Sequence, residues 1–505
     1  MTARGDWREG LPPDVRPNVL SDLPSDVAAI RHDSRDVDPG DLFVCVVGAQ
    51  ADGHDFAAAA VEGGAVAIVA QAGRGEALMP LGVPVVEVPD SRRALSSIAA
   101  AHEGYPARQL TVVGITGTNG KSTTAYFAGA ALEGAGVKTG VLTTIGSRID
   151  GVDAPHPTRL TTQEAPVIQR QLAEMVEAGC THAVVEATSH GLDLLRLVDC
   201  EFDIAVFTNL TPDHLDHHGT LDAYRDAKLR LFTMLDEPTT KDVSRVAIVN
   251  LDSDEWEPFA AASSVPVMSY SIDDRSANLS ARDIIAWPDG STFAVAATGA
   301  SVEASVRLPG AFNISNATAA LAVAWALDLD VGGAAMGVAT CEGVPGRMER
   351  IGGAPFDVIV DYAHTADAMQ RVLETLAEVV DGRLIVVFGC AGERSSERRS
   401  GLGAVAGELA GYAVLTEEDP RSEDGDAIID DIARAMTAAG ATEGERFERV
   451  PDRREAIDRA FAIAEQGDLV LLAGKGHESS IERAGGPVAW SESGMARELI
   501  AARFG

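Results

Sequence analysis

The sequence predicts an α/β protein of three domains, and three observations predict it. The chain has 505 residues, which at roughly 150 residues per domain makes about three domains. From Gln109 onward, apolar runs of strand length alternate with helical patterns, the arrangement of a parallel sheet covered by helices. A second rhythm of the same kind starts at Asp357. The expected domains are 1–107, 108–342 and 343–505.

The first hundred residues mix short β-like runs, Asp41–Val47 and Ala65–Ala70, with Gly-rich turns, and read as a small α/β domain. In the central domain Leu110–Ile115 is a buried-strand signal followed by a Gly-rich turn and a helix from Lys121. Further strands are expected at Gly140–Thr143, Ala183–Glu186, Ile204–Phe207 and Val246–Asn250, with a helix over Pro166–Ala178. From Val265 to Leu308 short alternating strands, with a hairpin turn at Pro288-Asp289-Gly290, suggest a small antiparallel appendage. An alanine-rich helix, Asn313–Leu327, leads to the loop Gly343–Arg350. In the last domain strands are expected at Val358–Asp361, Leu384–Phe388, Ala413–Thr416 and Leu469–Leu472, a Rossmann-like pattern without the G-x-G-x-x-G fingerprint.

Composition excludes several function classes. Apolar residues make up 46% of the chain, enough for ordinary buried cores. The net charge is −35, which repels phosphate backbones and argues against nucleic-acid binding. Small anionic ligands remain compatible with it, because helix N-termini and a few basic residues hold them locally. The five cysteines, Cys45, Cys180, Cys200, Cys341 and Cys390, form no CxxC pair, so reduced buried thiols are expected rather than disulfides or a zinc ribbon. Met1 to Pro17 has no apolar signal-peptide core, and no apolar run is long enough to cross a bilayer. A cytoplasmic protein without a membrane partner is expected.

The strongest local signal is Gly114-Ile-Thr-Gly117-Thr118-Asn119-Gly120-Lys121-Ser122-Thr123, which follows a strand and opens a helix. Backbone N–H groups of such a loop cradle phosphates, Lys121 reaches the β/γ oxygens and Ser122 ligates Mg²⁺. The strict G-x-x-x-x-G-K-[ST] pattern would place glycine at 115, where Ile115 stands, so this is a variant loop. Glu186 and His214 follow apolar strands, which places them at carboxyl ends, where open parallel sheets hold ligands. A lone His214 would be a solvated loop residue; with Asp213, Asp216, His217 and His218 around it, a metal-facing cluster is the better reading. Read alone, Lys228 is a surface lysine on an amphipathic helix, and Thr161-Thr162 reads equally well as a helix N-cap.

The phosphate loop resembles that of the Mur ligase family. So do Val184-Val-Glu186-Ala-Thr-Ser189-His190-Gly191-Leu192 and Phe207-Thr-Asn209-Leu-Thr-Pro-Asp213-His214-Leu-Asp216-His-His-Gly219. Gly310-Ala-Phe312-Asn313-Ile-Ser-Asn316, Gly346-Arg347-Met-Glu349 and Asp361-Tyr-Ala-His364-Thr continue the likeness in order. The resemblance implies a central ATPase domain flanked by a uridine-nucleotide-binding and an amino-acid-binding domain. The implied activity is ATP-dependent amide-bond formation through an acyl phosphate, with Mg²⁺ as cofactor. By the same resemblance Gly117, Thr118, Asn119, Gly120, Lys121, Ser122, Thr123, Asn313, Asn316, Arg347 and Asp361 bind ATP. Lys121, His214 and Lys228 serve catalysis. Ser122, Glu186, His214 and Lys228, the last as a carbamate, face the metal.

The N-terminal segments Asp33-Ser34-Arg35-Asp36-Val37-x-Pro39-Gly40-Asp41-Leu42-Phe43-Val44 and Asp52-Gly53-His54-Asp55-Phe56 are similar to those of the member that adds the third peptide residue in peptidoglycan precursor synthesis. Ser34, Thr161, Thr162, Ser189 and Arg196 are then the expected contacts to UDP-MurNAc-dipeptide, with Leu194 departing from a frequent glutamine. Arg394, Glu418, Asp419, Arg421, Gly474 and Glu478 are the expected contacts to the incoming amino acid. Arg421 suits a distal carboxylate, whereas Asp419, where asparagine is usual in diaminopimelate-adding members, suits a distal ammonium. That leaves meso-diaminopimelate and lysine or ornithine both open. A folylpolyglutamate- or cyanophycin-type ligase and a non-catalytic nucleotide-binding regulator are the alternatives; small-molecule partners and a monomer are expected.

Overall fold

The computed structural model describes residues 5–13, 15, 23–48, 51–156, 161–287, 290–297 and 300–505. It divides into two compact units, Met1–Arg282 with Ala294–Ala304 and Ile314–Ala339, and Asp283–Phe293 with Ser305–Asn313 and Thr340–Gly505.

In the first unit a four-stranded parallel sheet comes first, in the order β1 (Ile30–Arg31), β2 (Leu42–Val44), β3 (Ala67–Gln71) and β4 (Val85–Val88). Successive side chains of a strand face opposite ways, and here each face has its own core. Leu42, Val44 and Val69 pack with Trp7, Leu95 and Ile98, while Phe43, Cys45 and Ile68 pack with Ala57 and Ala60. The helix Ser91–His102, capped by the Asp90 carboxylate on the Arg92 and Arg93 N–H groups, leads from this sheet to the larger one. Ser96 Oγ donates to the Val198 carbonyl at 2.6 Å and Ser97 Oγ to Asp199 Oδ2 at 2.6 Å.

The larger sheet is built around β5 (Thr111–Thr116). Its parallel neighbours are β9 (His182–Glu186) on one side, followed by β6 (Thr139–Leu142), and β10 (Ile204–Phe207) on the other, followed by β11 (Val246–Asn250) and β12 (Val267–Ser271). β5, β10 and β11 are almost wholly buried, as strands covered by helices on both faces must be. β7 (Gly146–Ile149) and β8 (Val152–Pro155) extend the β6 edge antiparallel. The antiparallel appendage expected from Val265 is corrected at its first strands. β12 pairs parallel with β11, and β13 (Leu279–Trp287) begins parallel to β12. β12 is exposed at its start and buried at its end, so its half-polar sequence reads as a solvated antiparallel strand although it continues the parallel sheet. β14 (Gly290–Ala297) and β15 (Ala300–Val306) come next in the chain; the expected turn at 288–289 lies outside the described residues.

The second unit holds a sheet ordered β16 (Glu349–Arg350), β17 (Asp357–Asp361), β21 (Leu469–Ala473), β18 (Leu384–Phe388), β19 (Tyr412–Leu415) and β20 (Phe447–Arg449), parallel except for the edge strand β16. β22 (Ser480–Arg483) and β23 (Gly486–Ala489) form a hairpin after β21. Arg453, wholly buried, pairs bidentately with Glu492 and donates to the carbonyls of Glu417 and Ala473. It thereby fixes the helix Glu492–Phe504 to the carboxyl ends of β19 and β21, where the candidate residues of this unit lie. All five cysteines are free and buried. Among the described residues no helix is long and apolar enough to cross a membrane.

Candidate active site

The phosphate loop runs from the end of β5 into the helix Lys121–Gly134, whose N-cap is Gly120 in the left-handed region at φ 82°. A side chain at Gly117 (φ 151°) would overlap Thr208 Oγ1, and one at Gly120 would overlap Asn316 Oδ1. Asn209 holds the loop. Its carbonyl accepts from Thr118 N at 2.8 Å, its Oδ1 accepts from Asn119 N at 3.0 Å, and its Nδ2 donates to the Asn119 carbonyl at 3.1 Å. Thr208 Oγ1 donates to the same carbonyl at 2.7 Å. Lys121 Nζ lies on the Thr118 carbonyl at 2.9 Å. Thr123 is half-buried in the first helical turn, and Thr124 Oγ1 donates to Asn316 Oδ1 at 3.2 Å.

Glu186 stands at the carboxyl end of β9, next to β5, and is 4% exposed. Its Oε2 accepts from Ser122 Oγ at 2.8 Å and from Thr144 N at 2.9 Å. A hydroxyl at the start of a helix beside a buried carboxylate is the donor set that hard, oxygen-seeking cations take, so these residues fit magnesium. The structure corrects the local reading of Lys228: it is 1% exposed, not a surface lysine. Its Nζ donates to the Gly117 carbonyl at 2.6 Å and lies 4.4 Å from the Tyr224 ring centroid. Burial, reinforced by the nearby Lys121 ammonium, pushes its amine well below the usual lysine range.

His214 has positive φ and is exposed, with its backbone N–H on Asp213 Oδ1 at 2.8 Å. The histidine cluster is composed differently from the expectation. His190 packs on His214 and His217, with ring centroids at 4.9 and 4.2 Å, and His217 pairs with Asp193. Asp193 ends the helix Ser189–Asp193 that follows β9, twenty-odd residues away in sequence, so proximity along the chain did not reveal it. The side chain of Asp216 lies outside the described residues.

Thr162 and Arg196 come together beside Thr188, the N-cap of the short helix that Ser189 opens. Thr162 Oγ1 is 2.6 Å from Thr188 Oγ1, and Arg196, nearly buried, donates to the Thr162 carbonyl at 2.8 Å and pairs with Glu164 at 2.6 Å. The N-cap reading of Thr161-Thr162 is corrected, since Glu164 occupies that position for the helix Ala165–Glu177. Thr161 is exposed. Ser34 sits half-buried in a short turn capped by Asp33.

In the second unit Asp361 accepts from the N–H groups of Met348 and Ala363 at 2.8 Å each, and burial raises its carboxyl above the usual range. Arg347 lies over the Tyr362 ring at 4.5 Å, and Asn313 Nδ2 donates to the Pro309 carbonyl at 2.8 Å. The Gly474 N–H donates to the Asp361 carbonyl at 3.1 Å. Lys475, with no exposed surface, donates to Asp419 Oδ1 at 2.8 Å and pairs with Glu478. Asp419 Oδ1 also accepts from Glu482 N at 2.8 Å, and Glu478 Oε1 from the Tyr362 hydroxyl at 3.2 Å. Lys475 thus stands between two candidate residues, Asp419 and Glu478, although it is not among the contacts expected from the sequence. Glu418 is buried with an Oε2 that has no hydrogen-bond partner among the described residues, and burial pushes its carboxyl up to about 7. Arg421 is one-third exposed, at φ 56°, with Glu393 3.8 Å away. Arg394 is exposed.

Comparison with known proteins matches the Mur ligase family catalytic domain to residues 26–103, the Mur ligase middle domain to 115–324, and the Mur ligase glutamate ligase domain to 346–476. A UDP-N-acetylmuramyl-tripeptide synthetase of Roseiflexus sp. is 42% identical over 485 residues, 94% of this chain and 95% of the relative. A UDP-N-acetylmuramoyl-L-alanyl-D-glutamate–2,6-diaminopimelate ligase of Geobacillus thermodenitrificans is 40% identical over 90% of this chain and 91% of its own. A solved 2,6-diaminopimelate ligase of the same name aligns at a TM-score of 0.66 and 30% identity, covering 99% of each chain. A MurF from Acinetobacter baumannii aligns at 0.68 and 20% identity, which shows the fold alone.

Proposed function

This chain belongs to the Mur ligase family, and from that premise we propose that it joins meso-diaminopimelate to UDP-N-acetylmuramoyl-L-alanyl-D-glutamate. Members are ATP-dependent, ADP-forming amide ligases. The substrate reading is supported by relatives 36–42% identical that carry the names of tripeptide synthetases and diaminopimelate ligases; it favours peptidoglycan precursor synthesis over the folylpolyglutamate- and cyanophycin-type alternatives and over a silent regulator. On this reading the enzyme works as a cytoplasmic monomer on small molecules.

The chemistry requires an acid to be phosphorylated and then attacked by an amine. The phosphate loop and Lys121 hold the triphosphate, and Asn316 supports the loop at Gly120. Ser122, Glu186, His214 and, as a carbamate, Lys228 would hold Mg²⁺, which when bound neutralises the charge that develops on the phosphoryl oxygens. The low proton affinity of the Lys228 amine supplies the neutral nucleophile that carbamylation needs. Ser34, Thr161, Thr162, Ser189 and Arg196 bind the UDP-dipeptide. The family resemblance also gives Asn313, Arg347 and Asp361 a part in nucleotide binding.

The observation that carries the amino-acid choice is the ion pair between Asp419 and the wholly buried Lys475. The aspartate that would welcome a distal ammonium is already neutralised from within and bonded to Glu482 N. Arg421, one-third exposed, is left to grip a distal carboxylate bidentately, with Arg394, Glu418, Gly474 and Glu478 completing the pocket. Phosphate release with ATP, the UDP-dipeptide and each of meso-diaminopimelate, lysine and ornithine tests this. Arg421→Ala should raise the KM for diaminopimelate by the equivalent of about 2–5 kcal/mol, and Asp419→Asn should leave the preference nearly unchanged. A wild-type preference for lysine, or a strong gain for diaminopimelate in Asp419→Asn, overturns the assignment.

A further inference from the structure

The histidines around His214 leave a group that the ligase chemistry above does not use. Asp193, His217 and His218 bring one ligand atom each to within 4.8 Å of one another, the one such group of three among the described residues. His217 Nε2 stands 3.2 Å from Asp193 Oδ2. A tetrahedral ion with donors at about 2.0–2.1 Å keeps those donors roughly 3.3 Å apart, so this pair already has the spacing of two ligands on one edge of a tetrahedron. Arg230 takes the other carboxylate oxygen of Asp193, at 3.3 Å, and donates to the Leu192 and Asp193 carbonyls, which fixes the carboxylate with Oδ2 toward the histidines. His218 Nε2 is buried and finds no hydrogen-bond partner among the described residues. A buried ring nitrogen in that state costs free energy unless something else meets it. His190 packs against His217 at 4.2 Å and His218 at 5.5 Å between centroids, confining both rings.

We propose that Asp193, His217 and His218 form a site for a transition-metal ion of the zinc(II) or cobalt(II) class, distinct from the magnesium residues, and that filling it slows the ligase. Two imidazoles and one carboxylate suit zinc and its neighbours, whereas magnesium takes oxygen donors. His217 and His218 sit in one helical turn, Leu215–His218, whose N-cap is His214. His214 also touches His190, at 4.9 Å. An ion that clamps this turn to Asp193 therefore acts directly on the orientation of His214.

The binding test starts from the full chain stripped with a chelator and then saturated with Mg²⁺, without substrates, so that its outcome does not depend on which amino acid the ligase takes; the inhibition test rests on the function proposed above. Titration with Co²⁺ should give visible d–d absorption that saturates at one equivalent. His217→Ala and Asp193→Asn should each weaken that binding by roughly tenfold or more. In the ligase assay at constant Mg²⁺, Zn²⁺ should inhibit the wild type reversibly, and both variants should need roughly tenfold more Zn²⁺ for the same inhibition. No d–d band at the first equivalent, or equal Co²⁺ affinity in wild type and variants, overturns the site. Binding that leaves the ligase rate unchanged overturns its coupling to His214.

Discussion

Lys228 occupies a place where an ammonium ion is disfavoured twice, by burial and by the Lys121 charge. Its amine therefore stays available to CO₂, forming a new N–C bond and releasing one proton to solvent. Activity should fall when the enzyme is equilibrated in CO₂-free buffer and return with bicarbonate, and Lys228→Ala should be nearly inactive yet partly rescued by small carboxylic acids. An enzyme indifferent to CO₂ whose alanine variant stays active would remove the assignment. Lys121→Ala, by contrast, should lose at least about a hundredfold in turnover with folding intact and no chemical rescue. Glu418 tests the second unit. Burial holds its carboxyl near 7, above the ordinary 4.5, so between those values the folded protein keeps a proton that the unfolded chain releases. Its contribution to stability is full below about 4.5 and is lost as pH rises through about 7, by at most about 3 kcal/mol. Glu418→Gln should therefore raise Tm relative to wild type at pH 8 and change it little at pH 5, read by thermal melts of the free protein. An equal shift at both pH values would contradict this.

The elements that sequence reasoning located best are those whose burial is uniform. Ile204–Phe207 and Val246–Asn250 were expected at the residues where β10 and β11 occur, because a parallel strand covered on both faces is an unbroken apolar run. β16 and β20, two and three residues long, carry too little pattern to register. The pairing of Asp419 with Lys475 was invisible for another reason: the partners are 56 residues apart, and only the folded sheet brings the ends of β19 and β21 together. The same holds for Lys228, whose helix Leu221–Thr233 reads as amphipathic while its lysine lies beneath the phosphate loop. The loop itself was legible because its glycines are demanded by geometry. Gly120→Ala should weaken nucleotide binding, since the added carbon must displace the Asn316 side chain from the loop. Gly136 has a similar φ of 85° but open space around it, so Gly136→Ala should cost only about 1–2 kcal/mol of backbone strain and leave ATP affinity intact. Calorimetric titration with ATP on both variants separates the two effects. Equal losses would mean that strain, not the collision at Asn316, decides.

Over the whole molecule the charge of −35 works against the proposed substrates, since ATP and a UDP-linked peptide are both anions. Local features must overcome a repulsive field: the N-terminus of the helix Lys121–Gly134, Lys121, and Arg196 beside Thr162. These act over a few ångströms, where salt screens weakly, whereas the field of the acidic surface acts from farther away, where the screening length falls from about 30 Å at 0.01 M to about 8 Å at 0.15 M. Adding salt should thus remove more repulsion than attraction. The expected outcome is that kcat/KM for ATP and for the UDP-dipeptide rises, by roughly two- to tenfold, between 0.01 and 0.15 M KCl at fixed Mg²⁺, with kcat nearly constant. The gain should be smaller for diaminopimelate, which carries no net charge near neutral pH. A steep fall of kcat/KM with salt for both anions would show that attraction by the basic residues of the site reaches far from it and outweighs the acidic surface.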